Sequence, residues 1–189
     1  GQVRRGRLKP FAGVLRLSDI APMAPAGEGE EVVPCDLADK AGVDRLVQGC
    51  QAIVHLGGVS TEQPWAPILA ANIMGVVNLY EAARRHGVQR GVFASSNHVM
   101  GFYRQDQVVD AKSPPRPDGF YGLSKAFGED VAQMYWDRWG IETVSIRIGS
   151  SFPEPRDRRM LATWLSYDDL ERLVVASLTA PVVGHSIIY

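Results

Sequence analysis

The stretch Ala52-Ile53-Val54-His55-Leu56-Gly57-Gly58 carries the reading that decides the fold. A short apolar run ending in paired glycines reads as a buried strand. A longer segment with helical spacing follows, from Pro64 to His86. Gly87 closes it, glycine being the residue that most readily takes the left-handed conformation at a helix end. Gly91-Val92-Phe93-Ala94-Ser95 then reads as a second strand. Two strands joined by a crossover helix pair in parallel, because a tight hairpin can only return the chain antiparallel.

Working outward, the same alternation continues on both sides. Toward the N-terminus, Val14 to Asp19 and Glu31-Val32-Val33 read as strands. Ala38 to Gly49 reads as a helix with Val43, Leu46 and Val47 at helical spacing. Toward the C-terminus, a polar loop runs to about Gly119, a helix runs from Tyr121 to Trp139 before Gly140, and Thr143 to Ile148 is a strand. Pro153 to Arg159 reads as a loop, Asp168 to Leu178 as a helix, and Ser186-Ile187-Ile188 opens a last strand. The predicted class is α/β, a doubly wound parallel sheet of Rossmann type. No internal repeat or low-complexity tract interrupts it.

Composition excludes several classes of function. The 189 residues carry a formal net charge of -1, which makes no electrostatic case for nucleic acid or an anionic membrane surface. Arg4, Arg5 and Arg7 read as a solvated helix face. The cysteines Cys35 and Cys50 and the histidines His55, His86, His98 and His185 lack metal-ligand spacing, so no metal is expected. Sparse cysteines, no signal peptide, and no apolar run near the ~20 residues of a membrane span point to a cytoplasmic protein. The first residue is not methionine, so Gly1 is expected to lie inside a longer gene product.

In a parallel sheet, ligands bind beyond the carboxyl ends of the strands. Asp19, Asp36, Gly57-Gly58-Val59-Ser60, Ser95-Ser96-Asn97-His98 and Gly149-Ser150 all follow strand runs. Tyr121 and Lys125 stand four apart on a helix and so face the same way. An ammonium beside a phenol favours the phenolate, which can take a proton from an alcohol while hydride leaves carbon. Ser96 can hydrogen-bond the same substrate oxygen, or Ser95 and Ser96 can simply cap a loop. Asp19 can accept both ribose hydroxyls of an adenosine and repel a 2′-phosphate, or form a turn before Pro22. Asp36 and Leu37 can meet an adenine, or Asp36 can cap the helix from Ala38. Gly57-Gly58 allows a close backbone approach to a phosphate or ribose, or serves a plain turn.

These residues resemble the extended short-chain dehydrogenase/reductase superfamily: Tyr-x-x-x-Lys, a Ser-Ser strand end, Asn72-x-x-Gly75 and a Gly-Gly turn stand in that superfamily's order. Cys35-Asp36-Leu37-Ala38-Asp39, Phe93 to His98, Arg116-Pro117-Asp118-Gly119, Arg147-Ile148-Gly149-Ser150 and Arg159 to Trp164 resemble the uronate dehydrogenases within it. The resemblance implies oxidation of the anomeric carbon of D-galacturonate or D-glucuronate by NAD⁺ to an aldarolactone. It implies Tyr121 as general base, Lys125 as its partner and ribose contact, and Ser96 as hydroxyl donor. It places Asp19, Asp36, Leu37, Leu56, Asn72, Lys125 and Ser151 on the dinucleotide, where the turn at Gly57 is also expected. It places Ser60, Ser96, Asn97, His98, Ser150 and Arg159 on the substrate, with His98 alternatively making a structural hydrogen bond. It further implies a homo-oligomer.

Three departures accompany it. The superfamily's first strand and Gly-x-x-Gly-x-x-Gly loop are represented only by Gly1, the superfamily continues past Tyr189, and Met100 stands where many members carry a tyrosine. The expectation is therefore one NAD-binding domain over 1–189, incomplete at both ends. Arg159 offers a planar fork suited to a sugar carboxylate, although Arg156, Arg158 and Arg159 also read as solvated loop charges. Two other readings stand beside this one. They are a nucleotide-sugar epimerase or dehydratase of the same superfamily, and a catalytically silent NAD-binding regulator.

Overall fold

The structure is a computed structural model that describes residues 8–189. Gly1 and the cluster Arg4, Arg5 and Arg7 lie outside the described residues. Among the described residues, six strands and six α-helices follow in the order β1 (Leu15–Leu17), β2 (Glu30–Val32), α1 (Lys40–Val47), β3 (Ala52–His55), α2 (Trp65–Ile68), α3 (Gly75–His86), β4 (Arg90–Ser96), α4 (Phe120–Trp139), β5 (Glu142–Ile148), α5 (Arg158–Thr163), α6 (Tyr167–Thr179) and β6 (His185–Ile188). All pairings are parallel. β1 pairs with β2, and a separate four-stranded sheet runs β3-β4-β5-β6. The central register aligns Ser95 with Arg147 and Ser96 with Ile148.

Period-two alternation sends the strand side chains to opposite faces. On one face Phe93 joins Val43 and Val47 of α1, Val76 and Leu79 of α3, and Val131 and Tyr135 of α4. On the other, Val92, Val144 and Ile146 pack on Leu170 and Val174 of α6. Helices thus cover both faces, as the alternation predicts. Each fully buried Val, Leu or Phe contributes about 1.5–3 kcal/mol. Gly87 and Gly140 take φ of 71° and 68° and close α3 and α4.

Four sequence readings change. The segment 65–86 is helical throughout, but Leu69–Met74 is wound as a π-helix between α2 and α3. By length and composition this 22-residue helix could cross a membrane; half of it is buried in the interior. α1 starts at Lys40, because Asp39 is its N-cap and accepts from the Ala41 N–H. Asp36 instead accepts from the Ala38 N–H at 2.9 Å, a local turn ahead of the helix. The loop read at 153–159 runs into the short helix α5, whose N-cap Asp157 accepts from the Met160 N–H at 2.7 Å. Arg159 therefore stands in the first turn of a helix rather than in a loop.

Candidate active site at the carboxyl edge of the sheet

Tyr121 occupies the first turn of α4 and Lys125 the next. Lys125 is buried, and its Nζ donates to the Ala94 carbonyl of β4 at 2.8 Å. The ammonium stands 5.6 Å from the centre of the Tyr121 ring and 5.1 Å from that of Phe93. Burial pulls its pKa down from 10.5 to about 8. Burial also raises Tyr121, while a hydrogen bond with the Ser96 side chain opposes that rise. Burial is the larger cause, so the net direction at Tyr121 is upward, opposite to the lowering expected beside an ammonium. His55 stacks on Phe93, and burial with the Lys125 charge holds it neutral, at about 3.

At the end of β4, the Ser96 Oγ accepts from the His98 N–H at 3.2 Å and starts the 3-10 turn Asn97–Met100. Ser96 thus caps the loop, and its hydroxyl also reaches Asn97 Oδ1 at 3.4 Å. Ser95 points away from them, donating to Glu129 at 2.5 Å. His98 sets its ring edge-on to Tyr121, with centroids 5.5 Å apart. Its Nδ1 lies 2.9 Å from the Asp118 carboxylate. Tyr121, Lys125, Ser96, Asn97 and His98 therefore form one cluster.

The remaining residues predicted from sequence fall along the same edge. Asp19 is exposed beyond β1 and accepts from the Ala21 N–H at 3.0 Å, the turn that Pro22 suggested. Beyond β2, the Leu37 carbonyl accepts from Asn78 at 2.9 Å, and Leu37 fills the space beside Gly57 and Gly75. A Cβ at Gly75 would stand 2.8 Å from that of Leu37, so only glycine fits. Leu56 is exposed beyond β3, and so is Ser60. Ser150, beyond β5, is buried and its hydroxyl pairs with Thr163 of α5 at 3.1 Å. The Ser151 hydroxyl is buried with no partner among the described residues, a group that a ligand oxygen would satisfy. Arg159 is exposed and has no ion-pair partner among the described residues. Asn72, in the π-helical stretch, is turned inward: Oδ1 accepts from Val59 N–H at 2.8 Å, while Nδ2 donates to the Val59 carbonyl at 3.0 Å and to Ser124 at 2.9 Å.

Three groups escaped the sequence reading. Glu129 and Arg147 form a buried two-point ion pair at 2.8 and 2.7 Å, to which Ser95 donates. Glu129 follows Lys125 by four residues, a helical spacing that could have flagged it. Asp118 holds His98, and Glu62 holds the N-terminus of α4. Nothing local marks either. Among the described residues, no group of three His, Cys, Asp or Glu side chains could hold a metal.

The sequence profile of the NAD dependent epimerase/dehydratase family matches residues 9–179. The chain is 64% identical over 190 residues to the uronate dehydrogenase of Pseudomonas syringae pv. tomato, covering 100% of the chain and 69% of that protein. It is 65% identical over 190 residues to the uronate dehydrogenase of Pseudomonas putida, covering 100% and 71%. A crystal structure of a uronate dehydrogenase mutant from Agrobacterium tumefaciens complexed with NAD superposes with a TM-score of 0.97, at 53% identity and the same 100% and 71% coverage.

Proposed function

Since the chain belongs to the NAD dependent epimerase/dehydratase family, and within it to the uronate dehydrogenases, we propose that it oxidises a free uronic acid at the anomeric carbon with NAD⁺, yielding the aldarolactone. The observation that carries the site assignment is the buried Lys125 ammonium 5.6 Å from the centre of the Tyr121 ring, beside the strand end that carries Ser96. Tyr121 accepts the proton of the anomeric hydroxyl as its C–H bond breaks, and the Ser96 hydroxyl donates to that oxygen. Bound NAD⁺ supplies the hydride acceptor. Tyr121 enters this step as phenolate and leaves it as phenol, and the Lys125 charge 5.6 Å from its ring favours the phenolate against the burial that opposes it. Asn97 and His98 flank the reacting oxygen. Asp118 fixes the His98 ring and leaves Nε2 available to substrate. Arg159, with Ser60 and Ser150, receives the sugar carboxylate.

The residues present fit the dinucleotide. Asp19 keeps one carboxylate oxygen for an adenosine ribose, Asp36, Leu37 and Leu56 flank the adenine side, and the Ser151 hydroxyl, without a partner among the described residues, lies beyond β5. Asn72 supports this side indirectly, by holding Val59 beside Gly57-Gly58. A homo-oligomer is supported by exposed apolar residues on neighbouring helices, Trp65 against Phe120 at 5.3 Å with Leu123 nearby in sequence. Cytoplasmic placement is supported by Cys35 and Cys50, both free. The test is NAD⁺ reduction across free uronates, neutral aldoses and UDP-sugars, with Tyr121→Phe as control. Turnover of galacturonate or glucuronate is expected, with a loss of about 10²–10⁴ in the variant. Turnover confined to UDP-sugars would sink the reading.

A further inference from the structure

Tyr121 is gripped through its own backbone from two sides. Its N–H donates to Glu62 Oε2 at 2.9 Å, and the Phe120 N–H donates to Glu62 Oε1 at 3.0 Å. Its carbonyl accepts from Ser124 Oγ at 2.7 Å, and Ser124 Oγ in turn accepts from Asn72 Nδ2. Both grips lead back to the segment between β3 and α2. Glu62 belongs to that segment, and Asn72 holds Val59 of the same segment by both its N–H and its carbonyl. Ser60 lies between the two anchor points.

The cap of α4 is unlike those of α1, α5 and α6, while α2 and α3 have no side-chain cap. α1, α5 and α6 are capped by their own residues Asp39, Asp157 and Ser166. The N-cap of α4 is Gly119, which offers no side chain. A Cβ there would run into Glu62, whose carboxylate supplies its three nearest atoms. A helix that needed only a cap would be served by a local Ser, Thr, Asp or Asn. Here the cap comes from 58 residues away, on the segment that carries Ser60.

We propose that Glu62 is a positioning residue, setting Tyr121 against the Ser60 segment so that base and substrate loop hold one relative geometry. The inference rests on the reading of Tyr121 as the base. The experiment compares the unmodified protein, Glu62→Ala, and Glu62→Ala combined with Gly119→Ser, which gives α4 a local cap in the vacated space. The readouts are kcat, KM, Tm and hydrogen exchange at the Phe120 and Tyr121 amides. Glu62→Ala is expected to lower kcat about 10- to 100-fold, as misplacement of a reacting group does, with a smaller change in KM and a lower Tm. The double variant should regain Tm and stay slow. Recovery of kcat together with Tm would reduce Glu62 to a cap and overturn the proposal, as would an unchanged kcat in Glu62→Ala. If Glu62→Ala does not fold, Glu62→Gln keeps the length and one acceptor oxygen, and full activity there overturns the proposal equally. An unmodified protein inactive on every uronate would defeat the functional reading instead. The grip itself would still be read from amide exchange in Glu62→Ala, where lost protection supports it and unchanged protection overturns it.

Discussion

Lys125 shows how a single residue trades stability for function. Its pKa falls from 10.5 to about 8 because a charge is held in the interior. At about 1.36 kcal/mol per pH unit, that penalty is about 3 kcal/mol, offset in part by the bond to Ala94. Between pH 8 and 10.5 the unfolded chain binds more protons at this site than the folded one. The penalty is therefore full below pH 8 and fades as pH rises toward 10.5. Lys125→Met should raise Tm at pH 7, lose that advantage near pH 10.5, and abolish most turnover. Thermal melts at both pH values, with an NAD⁺-reduction assay, check this. A lower Tm at pH 7 would contradict it. Arg159 makes the opposite case, an exposed guanidinium without an ion-pair partner among the described residues, whose removal leaves none of them unpaired. Arg159→Ala should raise KM for galacturonate about 10- to 100-fold, the worth of a charge-assisted contact, and leave galactose nearly unchanged. An unchanged acid-to-neutral ratio of kcat/KM would move the carboxylate to other donors.

At the scale of elements, α4 and β4 make the site together. Tyr121, Lys125 and Glu129 share one helix face, and Ser95 and Ser96 stand on opposite faces of one strand end. Between them lies the Glu129–Arg147 pair, with Ser95 donating to the same carboxylate. A buried pair is weak evidence for net stability, yet removing one partner leaves the other charge stranded. Glu129→Ala should therefore cost about 3–5 kcal/mol in chemical denaturation. Arg147→Met combined with Glu129→Leu should recover much of that loss, because no charge then remains. Equal loss in both proteins would show that packing, not charge, dominates there. The approach of α4 to β4 is set at Gly128, where a Cβ would strike the Phe93 ring.

Across the whole molecule, the proposed cofactor contacts are divided between two sheets. Asp19, Asp36 and Leu37 follow β1 and β2, whereas Leu56, Lys125 and Ser151 belong to the β3-β4-β5-β6 unit. A dinucleotide bound across both should stabilise the fold by mass action, about 2.7 kcal/mol at a hundredfold excess over Kd. NAD⁺ should raise Tm more than NADP⁺, because the Asp19 carboxylate repels a 2′-phosphate. Asp19→Ser should narrow that difference. An equal Tm shift from both cofactors in the unmodified protein would remove Asp19 from the ribose.

The sequence by itself determined the elements and their order. Strand runs, helical spacing and the closing glycines Gly87 and Gly140 are local signals, and the crossover between Ala52 and Ser95 makes parallel pairing the only outcome. Because parallel strands present their carboxyl ends to one edge, the Tyr121–Lys125–Ser96 cluster was legible too, from spacing and strand position. Tertiary structure alone decided what holds that cluster. Glu62 on the Tyr121 amide, Asp118 on His98, Asn72 on Val59 and Ser124, and Arg147 on Glu129 are separated by 59, 20, 13, 52 and 18 residues. No local pattern encodes a partner so distant, since it depends on where folding brings two segments. The π-helical turn at Leu69–Met74 and the short helix Arg158–Thr163 escaped for a related reason. The winding that turns Asn72 inward and the Ser150–Thr163 contact that holds α5 both come from packing, which overrides weak local preference in short segments.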